Sequence, residues 1–372
     1  MKICTITCHD VYNYGASLQT VALYQYLKSS GHDIEVIDYK PTWLSRRYDL
    51  WKRNGKWKRK SLFFQLLYYF FVVPIRWATW KGMRSFDKYS LKNFKISNKE
   101  YKDNLELTMD PPIADVYIVG SDQVWNPSTA HFLDPAFFLD FVPAGKTKLS
   151  YAASFGVSEI APEMRPMIKQ FLSSFSGISI REKQGLEILK NSGVNNAQLV
   201  VDPVFLLNSE TWLTMAAKKV SNAPYILVYD FDENPMIKDC VSKHAKAKGL
   251  KVFSMNSYKK SDYADADFKD AGPDVFLSLL LHANFIYSNS FHATAFSIIF
   301  KKNFYSAERI KFENNSRIHN ILEICELSDR LIYNSEFTPK EITCEAFDNA
   351  HIRLSSHIDN SKAFLQKFLP FT

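Results

Sequence analysis

A histidine lies among several hydroxyl side chains in the stretch 288–300. The residues before it are apolar and predict a buried strand, and residues 294–300 have the apolar spacing of a helix packed on a sheet. Ser288 and Ser290 are therefore predicted to cap a helix whose first turn contains His292. A helix start has unpaired N–H groups and about half a positive charge, so it can bind an anion beside the histidine. Alternatively, Ser290 only caps the helix and His292 packs against a neighbour.

A group of hydrogen-bonding and stacking side chains follows a second predicted strand, residues 114–120. The group consists of Ser121, Asp122, Gln123, Trp125 and Asn126. Because α/β sheets bind ligands at the carboxyl ends of their parallel strands, we expect this turn to lie in a binding cleft. Two interpretations of Asp122 remain open: it caps a helix, or it faces a ligand.

An arginine follows a third, short predicted strand, residues 177–180. Arg181 lies at the carboxyl end of this strand, immediately before a predicted helix. A guanidinium group can bind a carboxylate or a phosphate through two parallel hydrogen bonds, so Arg181 is a candidate anion-binding residue. The alternatives are an ion pair with Glu182 or capping of the helix.

The first elements of the chain predict a β-α-β unit. Residues 3–7 are apolar and β-branched and predict a strand, residues 34–39 have the pattern of a second strand, and a helix is predicted over 18–30 between them. The loop Asn13-Tyr14-Gly15 then lies at the carboxyl edge of the sheet. Gly15 is not part of a Gly-x-Gly-x-x-Gly pattern, so the dinucleotide-binding fingerprint is absent.

The alternation of strands and helices begins again after a break around 205–222. We therefore predict an α/β fold with two Rossmann-like domains that face each other across a cleft. The first domain is predicted to span 1–205, with a helical basic and aromatic insertion at about 41–110, and the second to span 206–345. Residues 346–372 predict a C-terminal helix that packs back on the first domain.

The composition is that of a soluble globular protein, with 46% hydrophobic and 23% charged residues in a chain of 372. The five cysteines are scattered and odd in number, so we expect reduced core thiols rather than a disulfide framework or a zinc site. The apolar run at the amino terminus is too short for a signal peptide. These features favour a cytoplasmic protein.

The net charge of +7 comes from one segment, residues 40–60, which holds nine Lys or Arg and one acid. Tryptophans lie among them, and the apolar run 62–73 follows. That run is shorter than the roughly 20 residues that a membrane-spanning helix needs. Three interpretations remain open: a solvated helical insertion, contact with an anionic membrane surface, or binding of a partner or nucleic acid. No nucleic-acid recognition motif accompanies the basic residues, so nucleic acid is not expected.

Six short motifs resemble, in the same order, those of the polysaccharide pyruvyl transferase family. They are Asn13-Tyr-Gly-Ala-Ser-Leu-Gln19, Gly120-Ser-Asp-Gln-Val-Trp125, Ser179-Ile-Arg-Glu182, Val201-Asp-Pro203, Ser288-Asn-Ser-Phe-His-Ala293 and Asn315-Ser-Arg-Ile318. The resemblance covers about residues 1–335, although Asn289 and Ala293 stand where the family usually has Asp and Gly. It implies a fold like that of GT-B glycosyltransferases. It also implies transfer of the pyruvyl group of phosphoenolpyruvate to a saccharide, as a ketal, in bacterial surface polysaccharide biosynthesis such as that of capsule or exopolysaccharide.

The resemblance further implies roles for individual residues. Phosphoenolpyruvate carries a phosphate and a carboxylate, which the helix start at 290–294 and Arg181 would hold. His292 would transfer the proton to the enol carbon, and Asp122 would orient or deprotonate the sugar hydroxyl. The predicted donor-binding residues are Ser288, Ser290, Phe291, Ala293, Thr294 and Arg317. The predicted acceptor-binding residues are Asn13, Tyr14, Gly15, Ser121, Gln123 and Trp125, of which Trp125 would stack on a sugar face.

No metal and no cofactor are expected, since the sequence has no His, Cys or Asp cluster at coordination spacing. The acceptor is expected to be a lipid-linked saccharide at the cytoplasmic face of a membrane, which would give segment 40–73 a membrane-binding purpose. Two other functions remain open: a nucleotide-sugar glycosyltransferase on the same architecture, and a non-catalytic saccharide or membrane adaptor. We expect His292→Ala and Arg181→Ala each to lower activity at least about a hundredfold and to leave the fold intact.

Overall fold

The computed structural model describes residues 1–45, 70, 80–127, 133–255, 261–310, 315–334, 336 and 338–370. Most of the basic and apolar segment 40–73 lies outside these residues. Its three interpretations therefore stay predictions.

The first half of the chain forms a parallel sheet with helices on its faces. Its strands are β1 (Lys2–Ile6), β2 (Asp33–Tyr39), β3 (Ile96–Tyr101), β4 (Val116–Val119), β5 (Thr147–Ser150), β6 (Ile178–Ile180) and β7 (Ala197–Leu199). Its helices are α1 (Tyr14–Ser29), α2 (80–93), α3 (Asn104–Met109), α4 (Arg165–Leu172) and α5 (Lys183–Asn191). The sheet order is β3-β2-β1-β4-β5, and the pair β6-β7 lies beside β5, where the N–H of Ser150 donates to the carbonyl of Gly177 at 3.0 Å.

The second half repeats this arrangement. Its strands are β8 (Tyr225–Tyr229), β9 (Lys251–Ser254), β10 (Ala266–Asp267), β11 (Phe285–Ser288), β12 (Phe304–Ala307) and β13 (Leu331–Ile332). Its helices are α6 (Ser209–Met215), α7 (Pro235–Lys248), α8 (Pro273–His282), α9 (Phe291–Ile299), α10 (Ser316–Ile324) and α11 (Cys344–Phe368). The strands are parallel, in the order β10-β9-β8-β11-β12-β13.

Both sheets are doubly wound, and the strand order reverses near the centre of each. The reversal lies between β1 and β4 in the first sheet and between β8 and β11 in the second. The predicted α/β fold with two Rossmann-like domains is therefore confirmed. Ligands bind at the carboxyl ends of strands at such reversals, so the turns after these four strands are the candidate ligand-binding positions.

Helix α1 lies between the two domains. Thirteen of its sixteen residues are buried, and a helix buried on all sides must be covered on more than one face. Tyr14 stacks on Phe276 of α8 with ring centroids 4.5 Å apart and donates its hydroxyl to the carbonyl of Ala271 at 2.9 Å. The helix begins earlier than predicted because the Asn13 side chain accepts the N–H of Ala16 and caps it.

Strand β3 falls within the insertion predicted at 41–110. It pairs with β2 at the edge of the first sheet, so the insertion ends before residue 96. Its sequence, Ile-Ser-Asn-Lys-Glu-Tyr, is polar because half of the strand is exposed, and charged side chains are common on exposed sheet edges. Because the strand is polar, a search for apolar runs does not identify it.

Helix α11 contacts both domains. The Ser361 hydroxyl accepts the N–H of Val201 at 2.9 Å, and the ring of Phe368 packs on Gly177. On its other side, His351 Nε2 lies 2.8 Å from the carbonyl oxygen of Ile298 in α9. Among the described residues, no helix is both long enough and apolar enough to cross a membrane.

Candidate active site between the domains

A cavity of about 990 Å³, including its open mouth, lies between the two domains. We call it the front cavity. It is lined by Cys8, Val11, Asn13, Trp43, Leu44, Asp122 and Gln123 of the first domain and by Phe231, Asn289, Ser290, Phe291, His292, Arg309, Asn315, Arg317 and Ile318 of the second. Most of these residues follow β1, β4, β8, β11 or β12. The cavity therefore lies where both strand orders reverse, which is the usual place for a ligand in such sheets.

The start of α9 brings His292 to the front cavity. Ser290 is the N-cap, with its Oγ 3.5 Å from the N–H of Ala293, so the predicted cap and the position of His292 in the first turn are confirmed. Ser288 and Thr294 do not line the cavity, because their hydroxyls donate to backbone carbonyls at the base of the turn. The groups left for an anion are the first-turn N–H groups, which have no carbonyl four residues earlier.

The imidazole of His292 is held at both edges. Its Nε2 lies 3.5 Å from Oδ2 of Asp202. On the other side the ring packs on the backbone of Gly15, so closely that a Cβ at position 15 would lie 2.0 Å from Nδ1. Only glycine leaves room for the ring, so Gly15 acts on the site through His292 rather than by lining the cavity.

Asp202 connects His292 to Arg181. The carboxylate is buried, and Nη1 of Arg181 donates to its Oδ2 at 2.5 Å. Burial alone would raise the pKa of Asp202, but the neighbouring His292 and Arg181 outweigh burial and hold this pKa well below its ordinary value. Asp202 is therefore an anion at neutral pH and pairs with His292 whenever the ring is protonated.

Arg181 lies behind this carboxylate and does not line the front cavity. Its side chain is only 2% exposed. The guanidinium group is 3.3 Å from the hydroxyl of Ser121, and the carboxylates of Asp122 and Glu182 are 3.7 and 3.9 Å away. A buried anion needs an opposite charge, so Arg181 neutralises Asp202 here. The donor-holding role predicted for Arg181 does not fit this position.

Two other arginines do line the front cavity. Arg317, predicted as a donor-binding residue, lies in the first turn of α10, and its Nε has no hydrogen-bond partner within the described ranges. Burial, together with the nearby Arg181, lowers the pKa of Arg317 to about 10. Because this pKa is still well above neutral pH, the side chain remains a cation there. Arg309, which the sequence analysis missed, pairs with Asp232 at 3.0 Å. Its position directly after β12 is the sequence feature that could have identified Arg309 as a site residue.

Asp122 faces the front cavity from the first domain. Its backbone is left-handed, with φ of 79°, and its Oδ1 accepts the N–H of Gln123 at 2.9 Å. Asp122 caps no helix of the described chain, so the ligand-facing interpretation fits its position better. Gln123 and Asn13 line the same wall, where Asn13 also caps α1.

Three predicted acceptor-binding residues are packed inside the protein. Trp125 is fully buried, stacks on Phe138 with centroids 5.2 Å apart and donates its indole N–H to the carbonyl of Phe137. Ser121 is also fully buried, and Tyr14 packs on α8 as described above. The polar groups of these side chains have internal partners, as buried aromatic and hydroxyl groups require. Stacking of Trp125 on a sugar does not fit this arrangement.

Two further residues of the site, besides Arg309, were not predicted from the sequence. Trp43 was assigned to the basic segment, yet it is half-buried, lines the front cavity and donates its indole N–H to Asp134 at 3.1 Å. Asp202 was noted only as part of a motif. Both follow strands of the first domain at their carboxyl ends, and this position was the signal that could have identified them.

In the described part of the chain, no group of three or more His, Cys, Asp or Glu side chains is arranged to hold a metal ion. The expectation that the chemistry uses no metal and no cofactor stays a prediction.

The chain is similar to several solved structures of other proteins. UDP-GlcNAc 2-epimerase from Neisseria meningitidis bound to UDP-GlcNAc is 10% identical, over 100% of this chain and 95% of that one, with a TM-score of 0.47. UDP-GlcNAc 2-epimerase from Methanocaldococcus jannaschii is 12% identical over 96% and 93%, with a TM-score of 0.46. The ADP-heptose LPS heptosyltransferase II of E. coli is 9% identical over 97% and 100%, with a TM-score of 0.38. No curated protein matches the sequence.

A sequence model of one protein family does match. It covers residues 13–308, which include Asn13, Asp122, Asp202 and the start of α9 with His292. Since the match extends over most of the chain, the protein belongs to the polysaccharide pyruvyl transferase family.

Proposed function

We propose that the protein transfers the pyruvyl group of phosphoenolpyruvate to two hydroxyls of a saccharide, forming a ketal, in bacterial surface polysaccharide synthesis. One observation carries this proposal: the front cavity brings His292 and the start of α9 opposite Asp122. An anionic donor and a sugar hydroxyl can therefore meet beside an imidazole, a group that can donate and accept protons.

The donor carries a phosphate and a carboxylate, so its site needs two places for negative charge. The start of α9 offers backbone N–H groups and the positive end of the helix dipole. Arg317 offers a guanidinium group in the same cavity, with Arg309 beside it. We assign the donor to this side of the cavity, with Arg317 in the role that the sequence suggested for Arg181.

His292 is assigned the proton transfer to the enol carbon. Asp202 and the backbone of Gly15 hold the two edges of its ring, so the ring is oriented before a donor arrives. Arg181 acts on this step through Asp202 and is therefore a positioning residue.

One donor and two sugar hydroxyls give one ketal and one inorganic phosphate. His292 protonates C3 of the donor, and the first sugar oxygen bonds to C2 as its proton passes to Asp122. The bond between C2 and the phosphate oxygen then breaks, and the phosphate leaves with the bonding electrons and the proton from Asp122. The second sugar oxygen bonds to C2 and returns a proton to His292, which restores the enzyme.

The acceptor is assigned to the first-domain wall, where Asn13 and Gln123 offer hydrogen bonds and Trp43 offers a ring face. We also propose that the saccharide is lipid-linked and that segment 40–73 contacts the cytoplasmic face of the membrane. Trp43 belongs to both the cavity wall and this segment, so a membrane contact there would lie close to the acceptor. If the proposal holds, neutralising Lys52, Arg53, Lys58, Arg59 and Lys60 abolishes binding to anionic vesicles.

The donor is tested first by thermal shift, because that measurement needs no acceptor. Phosphoenolpyruvate is expected to raise the melting temperature, and a nucleotide sugar or nucleoside diphosphate is not. Stabilisation by the nucleoside diphosphate alone would instead favour a glycosyltransferase, and stabilisation by none of them would favour a non-catalytic adaptor. Activity is expected to persist in the presence of EDTA, since the proposed steps use no metal.

A further inference from the structure

A second cavity lies behind the front cavity. It measures about 610 Å³, including its mouth, and is bounded by the chain after β7 and by helices α10 and α11. Phe291 and Arg317 line both cavities, so these two side chains form the partition between them. We call this space the rear cavity.

The rear cavity is electropositive. Arg181, Lys183 and Arg317 line it, and Asp202 is the one carboxylate among the described residues of its wall. Asp202 is already paired with Arg181, and Lys183 pairs with Glu323 at 2.8 Å on the exposed side. A partly enclosed space with this charge attracts small anions.

Several guanidinium nitrogens at this wall are buried without a hydrogen-bond partner in the described part of the chain. They are Nε and Nη2 of Arg181 and Nε of Arg317. Asp122 lies 3.7 Å from Nη2 of Arg181 and Glu182 lies 3.9 Å from its Nε, which is beyond hydrogen-bonding distance. Buried donors that lack acceptors are unfavourable, so these atoms favour an additional partner rich in oxygen atoms.

The partition residue Phe291 lies between two like charges. Its ring centroid is 5.5 Å from Cζ of Arg181 and 5.8 Å from Cζ of Arg317. Burial and then the nearby Arg181 lower the pKa of Arg317, whereas the carboxylates of Asp122, Glu182 and Asp202 act in the opposite direction. An anion beside Phe291 would relieve this repulsion. Phe291 is in the first turn of α9, so such an anion would be next to the proposed place of the donor phosphate.

We propose that the rear cavity binds inorganic phosphate and is the path by which phosphate leaves the front cavity after each transfer. This inference rests on the proposed function, in which one phosphate is released beside the start of α9. A phosphate dianion suits the wall because guanidinium groups bind its oxygens through charge-assisted, often paired, hydrogen bonds. A separate exit allows phosphate to depart while the saccharide product still occupies the front cavity.

The test uses two asparagines that line the rear cavity but not the front one. Asn320→Asp combined with Asn360→Asp places two carboxylates at the rear cavity with almost no change in size. The control is Asn195→Asp combined with Asn196→Asp, which makes the same chemical change at exposed positions that line neither cavity. Inorganic phosphate is titrated calorimetrically into each full-length protein, first alone and then with saturating phosphoenolpyruvate and no acceptor.

The wild type and the control are expected to bind phosphate even with phosphoenolpyruvate present. The rear-cavity variant is expected to bind phosphate at least about tenfold more weakly, because two like charges oppose the anion at short range. If phosphoenolpyruvate binds but eliminates phosphate binding, or if the two double variants bind phosphate equally, the rear site is wrong and the proposed function is unaffected. If phosphoenolpyruvate does not bind, the proposed function fails. The titration with phosphate alone then still tests the rear site, because the rear-cavity variant is expected to bind phosphate at least about tenfold more weakly than the control variant.

Discussion

The two walls of the front cavity are built from the same unit but use their polar residues differently. In each domain a buried parallel strand leads into a turn and a helix, capped by Asn13 in α1 and by Ser290 in α9. The second-domain wall presents His292 and the first-turn amides of α9 to the cavity. The first-domain unit packs its helix start against the other domain, and Gly15 there contacts His292 instead of a ligand. Equal local structure therefore does not imply equal function.

The walls also differ in what supports them. Behind the first-domain wall lies a hydrogen-bonded group of Ser121, Arg181 and Asp202. Arg317, in contrast, lines the front cavity, which Arg181 does not. One arginine thus neutralises a buried carboxylate behind the wall, while the other faces the cavity in which the donor is proposed to bind. Substitutions that separate these uses test the assignment.

The largest expected effect is a loss of stability in Arg181→Ala. Removing the guanidinium group leaves Asp202 buried without its nearest charged partner, which costs about 3–5 kcal/mol in the free energy of unfolding. Chemical denaturation measures this. The structure therefore replaces the expectation that this variant keeps its fold intact.

Arg317→Ala is the matched control for that measurement. It makes the same side-chain change but removes a cation whose Nε has no hydrogen-bond partner among the described residues, so the loss of stability is expected to stay below about 1 kcal/mol. Binding of phosphoenolpyruvate is expected to weaken at least about tenfold. Equal stability losses in the two variants would show that the walls do not differ in this way.

The next largest effect is on activity. His292→Ala is expected to lower kcat at least about a hundredfold, because it removes the group assigned to proton transfer, while the melting temperature changes little. His351→Ala is the control, since His351 is a partly buried histidine whose Nε2 lies 2.8 Å from a backbone carbonyl of α9. Near-normal turnover of folded His292→Ala protein would remove this residue from the mechanism and leave the second-domain wall with a binding role alone.

The sequence was sufficient to predict most of the fold and the cap of α9. Strands such as β1 and β11 are apolar and β-branched, and the cap at Ser290 is a local pattern. Strand β3 was missed because its exposed edge carries Lys99 and Glu100 rather than apolar residues. Local patterns are informative where burial or capping depends on neighbours along the chain.

The pairing of site residues was not predictable in the same way. Asp202 meets Arg181 across two strands of the first domain and meets His292 only when the two domains come together, and nothing near Asp202 in the sequence indicates these partners. Trp125 and Trp43 are chemically alike, yet one is core and the other lines the cavity. Whether a tryptophan is buried in the core or lines the cavity depends on long-range packing, which composition and periodicity do not reveal.

Gly15→Ala tests the contact where the two walls meet. The added Cβ would lie 2.0 Å from Nδ1 of His292, so the ring must move, and kcat is expected to fall about tenfold. Gly82→Ala is the control, because its Cβ would lie an acceptable 3.4 Å from Asp270 of the other domain. Both changes replace a helical glycine, so any gain in helix propensity is shared. An unchanged kcat in Gly15→Ala would show that the position of the ring is not critical.

The smallest effects are expected from the two tryptophans of the first-domain wall. Trp43→Phe and Trp125→Phe each remove one indole N–H bond, to Asp134 and to the carbonyl of Phe137. Trp125→Phe is expected to lower the free energy of unfolding by about 1–2 kcal/mol without changing the KM for the saccharide, because the carbonyl is left buried and unpaired. Trp43→Phe is expected to raise that KM about threefold, because a smaller ring covers less of the sugar, with less effect on stability. Steady-state kinetics measure the KM of both variants, and chemical denaturation measures their free energies of unfolding. A change in KM found only in Trp125→Phe would contradict the assignment of the acceptor to the first-domain wall.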